Sequence, residues 1–205
     1  MCTLATVIHL VRHGLVENPR KIFYGRLPEF ALSAEGMEQA EAAAVFFRRC
    51  PLQAIYSSPM LRARQTAEII QKYHPDLTIA ISEDINEIHT EYEGYTIEEL
   101  ERIDWQFYRN VKPPYETPQD IFKRLQKFLT EARQNHAGQE IVAVTHGDII
   151  CFAMAWASGW PIDGESKRRF ALENGYPAPA SITTLTFEDD ALDALPHMTY
   201  AVPYL

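Results

Sequence analysis

With 205 residues, 46% of them hydrophobic, the chain can bury one generous core and is too short for two independent domains without a linker, which the sequence does not show. A formal net charge of −9 argues against a nucleic-acid or anionic-membrane surface, because such partners need a net positive face, so an anion site here must be a local exception. The three cysteines, Cys2, Cys50 and Cys151, lie far apart and form no Cys-x-x-Cys pair, which speaks against a disulfide scaffold or structural zinc and places the chain in reducing cytoplasm.

In chain order, Thr6 to Arg12 reads as a strand of branched and aliphatic residues that delivers Arg12 and His13 onto Gly14, where the backbone can turn sharply and approach a ligand. The apolar start, Met1 to Val11, has no basic leading region and no small-residue cleavage site, so it is taken as strand and not as signal peptide. Asn18-Pro19, Gly25 and Pro28 make the segment to Leu32 a long loop, and long loops in compact domains are usually functional. Ser33 can cap a helix whose apolar stripe is Met37, Ala40, Ala44 and Phe47. Ala54 to Ser57 is a short strand, and Ser58-Pro59 predicts a capped helix to Tyr73 with Arg62 in its first turn. Thr78 to Ile81 is a third strand, followed by an acidic loop from Glu83 to Gly94. Thr96-x-x-Glu99 is a capping box, Pro113-Pro114 closes the next segment, and Thr117-Pro118 starts a helix to about Gln134. Glu140 to Thr145 is a buried strand, Asp148 to Ser158 a helix, and Ser181 to Phe187 and Met198 to Val202 two further strands. Ile149 to Ala157 is the most apolar stretch, far short of a membrane span. Strands alternating with helices predict an α/β fold with a mainly parallel sheet.

An internal echo adds more than the periodicity. Leu10-Val11-Arg12-His13-Gly14 and Ala143-Val144-Thr145-His146-Gly147 each set a histidine at the carboxyl end of an apolar strand, before a glycine. Ligands of parallel α/β sheets bind along that edge, so two histidines distant in sequence are expected in one crevice. Phosphoryl transfer needs charge stabilisation on the equatorial oxygens, an in-line nucleophile and an acid for the leaving oxygen. Arg12 and Arg62 can clamp the oxygens, neutral His13 can attack phosphorus, and His146 can donate to a non-bridging oxygen.

These residues resemble the histidine phosphatase superfamily, also called phosphoglycerate mutase-like, over nearly the whole chain. Leu10 to Gly14 resembles its signature, with His13 in the place of the phosphorylated nucleophile and Arg12 beside it. Tyr24-Gly25-Arg26 and Leu32-Ser33-Ala34-Glu35-Gly36 resemble the loop and first helix start, and Ser57 to Ala67 the second arginine motif, which gives that role to Arg62. Ile85-Asn86-Glu87-Ile88 resembles the acid-bearing segment and Val144-Thr145-His146-Gly147 the second histidine motif. The resemblance implies a three-layer αβα sandwich forming one domain over residues 1–205, a metal-independent phosphatase without cofactor, and a phosphohistidine on His13. Its substrate would be a small phosphate monoester, bound by Arg12, Asn18, Arg62, His146 and Gly147. It also departs from the pattern: Val16 replaces the usual hydroxyl, Asn18 arrives one residue early, and Thr90 stands where glycine is common. The mutases carry Arg-His-Tyr-Gly after the acid where this chain has Ile88-His89-Thr90-Glu91, which favours hydrolysis over phosphate shuttling.

Alternatives stay open. Mutase-type transfer would need a bisphosphorylated primer, and a silent module would bind phosphate without turnover. Glu87 is expected to have a raised pKa so that it starts protonated, with Asp148 the rival donor or else a plain helix cap. Glu87, His89, Glu91 and Glu93 alternate, so an extended backbone would align all four for a hard metal, although such a run is more often a solvated edge. Specificity is expected from residues 18–32 and 91–114, whose Tyr92, Tyr95, Trp105, Phe107 and Tyr108 could wall a pocket. Oligomeric state is not encoded in any motif.

Overall fold

Branched and aliphatic side chains run along Thr6–Arg12, and this strand, β1, lies inside the sheet with Ile8, Leu10 and Val11 wholly buried. The computed structural model describes residues 5–188 and 194–205, so Cys2 and the first residues of the apolar start lie outside it. On one side β1 pairs in parallel with β4 (Glu140–Thr145), on the other antiparallel with β5 (Ile182–Phe187). With β2 (Leu52–Ser57), β3 (Ile79–Ile81) and β6 (His197–Ala201) the sheet runs β3-β2-β4-β1-β5-β6. Only the last two strands are antiparallel to their neighbours, so the expectation of a mainly parallel sheet is met.

The period-2 geometry of a strand sends successive side chains to opposite faces, and both faces of this sheet are covered. Ile8 and Leu10 join Ile141, Ala143 and Leu185 in a core with α4 (Pro118–Asn135) and α5 (Gly147–Ala157). Val11, Val142, Val144 and Ile182 join a second core with α1 (Ala34–Phe47) and α2 (Leu61–Gln71). Helices, sheet and helices therefore form the three layers of an αβα sandwich. Among the described residues no helix is long and apolar enough to cross a membrane.

Local chemistry explains most boundaries. Ser33 caps α1 by accepting from Gly36 N at 3.0 Å, while Thr96 and Thr117 close capping boxes at α3 (Ile97–Arg102) and α4. The α1 stripe is Ala40, Ala43, Ala44 and Phe47; Met37, expected within it, is 50% exposed, because Gly36 holds the inward position beside the turn after β1. Ser58 does not cap α2: its hydroxyl faces His146 Nε2 at 2.7 Å, and the helix opens two residues later, after Met60. A further helix, α6 (Gly164–Asn174), was not anticipated; Asp163 caps it by accepting from Ser166 N at 2.7 Å.

Candidate active site

Because β1 and β4 are adjacent and parallel, with Arg12 opposite Thr145, the residues that follow them emerge side by side at the carboxyl edge. His13 N donates to Thr145 O at 3.0 Å, and the His13 and His146 rings stand 5.2 Å apart. The neighbouring β2 ends at Ser57, and Ser58 N donates to Val144 O at 2.9 Å, so α2 starts beside the same edge and brings Arg62 over it. Four of the expected residues, His13, Arg62, Glu87 and His146, thus meet in one buried cluster.

Arg62 is its centre and is wholly buried. Its Nε donates to His13 Nε2 at 3.1 Å, and its Nη2 lies 2.8 Å from Gly25 O, 3.4 Å from Glu87 Oε2 and 3.2 Å from His146 Nδ1. Tyr24 covers the guanidinium at 4.6 Å and is itself stacked on Phe30. His13 Nδ1 lies 2.8 Å from Gly14 O, and a carbonyl can only accept, so the proton sits on Nδ1 and the lone pair on Nε2 faces the cluster. Burial, and after it the charge of Arg62 and the neighbouring His146 and Arg12, hold the His13 imidazole well below its usual range. Burial likewise brings His146 down to about 4, against the opposing pull of Glu87. Both rings are neutral near pH 7. Two guanidinium nitrogens, Arg12 Nε and Arg62 Nη1, are buried without a hydrogen-bond partner, although unpaired cationic donors are costly inside a protein. An anion with several acceptor oxygens would satisfy both.

Glu87 departs from expectation. Burial pushes its carboxyl up, but His146 at 3.3 Å, Arg62 and the Ile88 N–H outweigh that and hold it below the usual carboxylate range, so it is ionised where a raised value was expected. Its backbone is fixed by groups the motifs did not reveal. Arg26 Nε donates to Glu87 O at 2.7 Å, and Arg124 donates to the carbonyls of Asp84, Asn86 and Glu87 at 3.0, 2.7 and 3.2 Å. Glu116 ties the two arginines together, at 2.9 Å from Arg26 and 2.8 Å from Arg124. A charged pair near Glu87 was unreadable in advance, since Arg124 lies mid-helix and Glu116 after a double proline.

Other expected positions are occupied differently. Arg12 donates from Nη1 to Pro177 O at 2.6 Å and lies 5.2 Å from the Tyr176 ring. Asn18 borders the site, but its amide is tied both ways to Ile22, donating at 2.8 Å and accepting at 3.2 Å, so it staples the loop. Asp148 is not a cap: His146 holds that position, and the buried Asp148 accepts from Lys167 at 2.6 Å, from Tyr176 at 2.7 Å and from Tyr108. The alternating acidic run does not share a face. Glu87 is in the cluster, His89 is held by Pro114 O at 3.2 Å, Glu91 is exposed and Glu93 accepts from Arg26 N at 2.7 Å. His13, Glu87 and His146 do bring ligand-type atoms within 4.8 Å of one another. Arg62 already contacts all three, and its charge opposes a second cation there.

Beside the cluster opens a cavity of about 860 Å³, bordered by Arg12, Glu87 and Gly147 at one end. Trp105, Phe107 and Tyr108 line it as expected, whereas Tyr92 and Tyr95 do not: Tyr92 packs on Phe107 at 5.4 Å and on the ring of Tyr95. The far wall comes from α6 and Tyr176, and the advance signal for it is a capping aspartate, Asp163, twelve residues before the terminating Gly175.

Comparisons with known proteins bear on the family and the fold. The profile described as histidine phosphatase superfamily (branch 1) matches residues 8–196. An uncharacterized protein of Mycobacterium tuberculosis is 34% identical over 194 residues, covering 91% of this chain and 93% of its own length. Phosphoserine phosphatase 1 of Hydrogenobacter thermophilus is 34% identical over 148 residues, covering 67% and 69%. Among solved structures, mycobacterial glucosyl-3-phosphoglycerate phosphatase superposes with a TM-score of 0.76 at 22% identity, covering 97% and 98%.

Proposed function

The chain belongs to the histidine phosphatase superfamily, and on that premise we propose that it is a phosphomonoesterase that passes the phosphoryl group through His13. The observation that carries the reading is the His13 Nε2 lone pair, which faces the buried cluster and accepts from Arg62 Nε at 3.1 Å, beside two buried guanidinium N–H groups that are unpaired. Relatives and structural neighbours named as phosphatases support it.

In the first step Nε2 attacks phosphorus, the bond to the ester oxygen breaks, and that oxygen takes a proton from Glu87. Arg12, Arg62 and His146 bind the three non-bridging oxygens, on which charge accumulates in the transition state, with Gly147 beside them at the start of α5. Glu87, ionised in the resting site, gains its proton as substrate enters. A phosphate monoester loses its second proton near pH 6, and the phosphate's negative charge draws the donors of Arg62 and His146 away from the carboxylate. In the second step Glu87 removes a proton from water, which attacks the phosphohistidine and returns His13 and inorganic phosphate. Nothing in this sequence requires a metal or a cofactor, and residues 1–205 act as one domain. Free thiols at Cys50 and Cys151 support a reducing, cytoplasmic setting.

The test is turnover of p-nitrophenyl phosphate labelled at phosphorus, quenched in alkaline detergent, with the acid lability of the trapped label tested afterwards. We expect acid-labile phosphate on the protein and its loss, with turnover down at least about 10³-fold, in His13→Ala. Retained turnover in that variant removes the mechanism. Glu87→Gln should slow alkyl phosphates far more than the aryl ester, on the order of 10²-fold against a few-fold, because only a poor leaving group needs the acid. If Asp148→Asn shows that pattern instead, the donor is Asp148. Release of free phosphate without phosphoglycerate interconversion separates hydrolysis from mutase chemistry.

A further inference from the structure

The cavity beside the phosphoryl corner has a composition that constrains what the phosphate is attached to. Its walls are Ile22, Phe23, Ile97, Trp105, Phe107 and Leu172, contributed by the loop after β1, by α3 with the segment after it, and by α6. Trp105 and Leu172 also reach solvent, Leu172 with 71% of its surface exposed, so apolar area continues to the rim.

The cations near this cavity are already committed. Lys167 is paired with Asp148 at 2.6 Å beneath Tyr108 and Tyr176, and Arg168 with Asp104 at 2.6 Å. Arg12 and Arg62, each with one buried unpaired nitrogen, are assigned to the phosphate by the proposed mechanism. Among the remaining lining residues only Arg109, exposed at the mouth, carries positive charge, against Asp163 and Glu165. A carboxylate or second phosphate on the organic part of a substrate would therefore enter beside apolar surface with no buried cation to receive it, and its desolvation would go uncompensated.

Resting on the phosphatase reading of this site, we propose that the preferred substrate is the monoester of a bulky, mainly apolar alcohol whose only anionic group is the phosphate that is removed. The roughly 860 Å³ of the cavity falls in the range that encloses a drug-sized organic group. Hydrolysis breaks the bond between phosphorus and the ester oxygen, gives orthophosphate to water and returns the alcohol with the proton from Glu87.

The experiment is a series of n-alkyl phosphates from ethyl to octyl, with O-phosphoserine and 3-phosphoglycerate alongside, assayed as kcat/KM by phosphate release. Leaving-group acidity favours the two polar esters, so a preference for the alkyl chains reports binding of the organic part. We expect kcat/KM to rise about three- to fourfold per added methylene until the cavity is filled, and octyl phosphate to exceed both carboxylates by at least about 100-fold. Trp105→Ser and Leu172→Ser should each lower the octyl-to-ethyl ratio about tenfold. A flat alkyl series, or a carboxylate that outperforms octyl phosphate, overturns the substrate class while p-nitrophenyl phosphate turnover through His13 keeps the phosphatase reading intact. Absence of turnover on every ester, p-nitrophenyl phosphate included, overturns both.

Discussion

The phosphoryl corner and the wall of the adjoining cavity are built by opposite means. The corner uses strand ends: His13 and His146 follow β1 and β4, and Arg62 enters from a helix whose start hydrogen-bonds to that edge through Ser58. These three positions are tied to the sheet edge by backbone hydrogen bonds, His13 N to Thr145 O and Ser58 N to Val144 O. The wall uses a short helix, α3, irregular turns after it and α6, with Asp104 and Trp105 both at positive φ, 53° and 54°. Chemistry is placed by the invariant geometry of parallel strands, whereas the shape that selects the organic group is assembled from segments that can change without disturbing it.

Removing the cation at the centre of the corner is the largest test of that division. Arg62→Met should lower kcat/KM about 10³-fold on every ester alike, since it deletes one clamp and leaves Glu87 beside the two histidines without its counter-charge. Arg62→Lys should recover only part, because an ammonium cannot span His13, Glu87 and His146 as a guanidinium does. If the loss instead depended on the organic group, corner and wall would not be separable. Circular dichroism on both variants checks that the fold persists.

A smaller effect is expected from the support behind Glu87. Arg124 touches only backbone carbonyls in that segment, so Arg124→Met should reduce kcat about tenfold with little change in KM, and more for alkyl than aryl phosphates. Such a leaving-group dependence marks loss of aim in the proton donor; a uniform loss across esters would mark general destabilisation.

The mildest probe is stability against pH. His13 and His146 fold as neutral rings with lowered pKa, so below about pH 6.5 the unfolded chain binds protons that the native corner does not, and stability falls with pH at about 1.4 kcal/mol per pH unit for each ring. For His146 this loss ends near pH 4, where the native ring also protonates. Glu87, with its depressed value, adds a further loss below about pH 4.3 as the unfolded carboxylate takes its proton. Denaturation midpoints between pH 7 and 4 should show this slope, and His146→Asn should flatten it; an unchanged slope would mean that the ring is not held neutral.

These differences also explain what could be read from sequence. The sheet was legible because β1 and β4 repeat one pattern, an apolar strand, a histidine and a glycine, whose partners follow from strand geometry alone. His13, Arg62, Glu87 and His146 were legible as ordered motifs. The protonation of Glu87 was not, since its sign depends on how closely His146 and Arg62 approach in three dimensions. Sequence leaves Asp148 open between rival donor and helix cap, because its partners, Lys167 and Tyr176, lie in a segment without a strong periodic signal. Arg124 acts through backbone carbonyls, and Glu116 through Arg26, Arg124 and the His89 N–H, contacts that leave no trace in residue type.

Gly14 was expected to let the backbone approach a ligand, and its close neighbour is instead the backbone of α1. A methyl group on Gly14 would stand 2.3 Å from Gly36 O, and one on Gly36 would stand 1.9 Å from Leu15 O. Neither clash can be relieved by turning a side chain, and Gly14 O is also the acceptor that fixes the His13 tautomer. The first helix therefore serves as a gauge for His13: the distance at which two bare stretches of main chain touch sets where the imidazole that we propose as nucleophile stands. Gly36→Ala, well away from the cluster, would shift that ring.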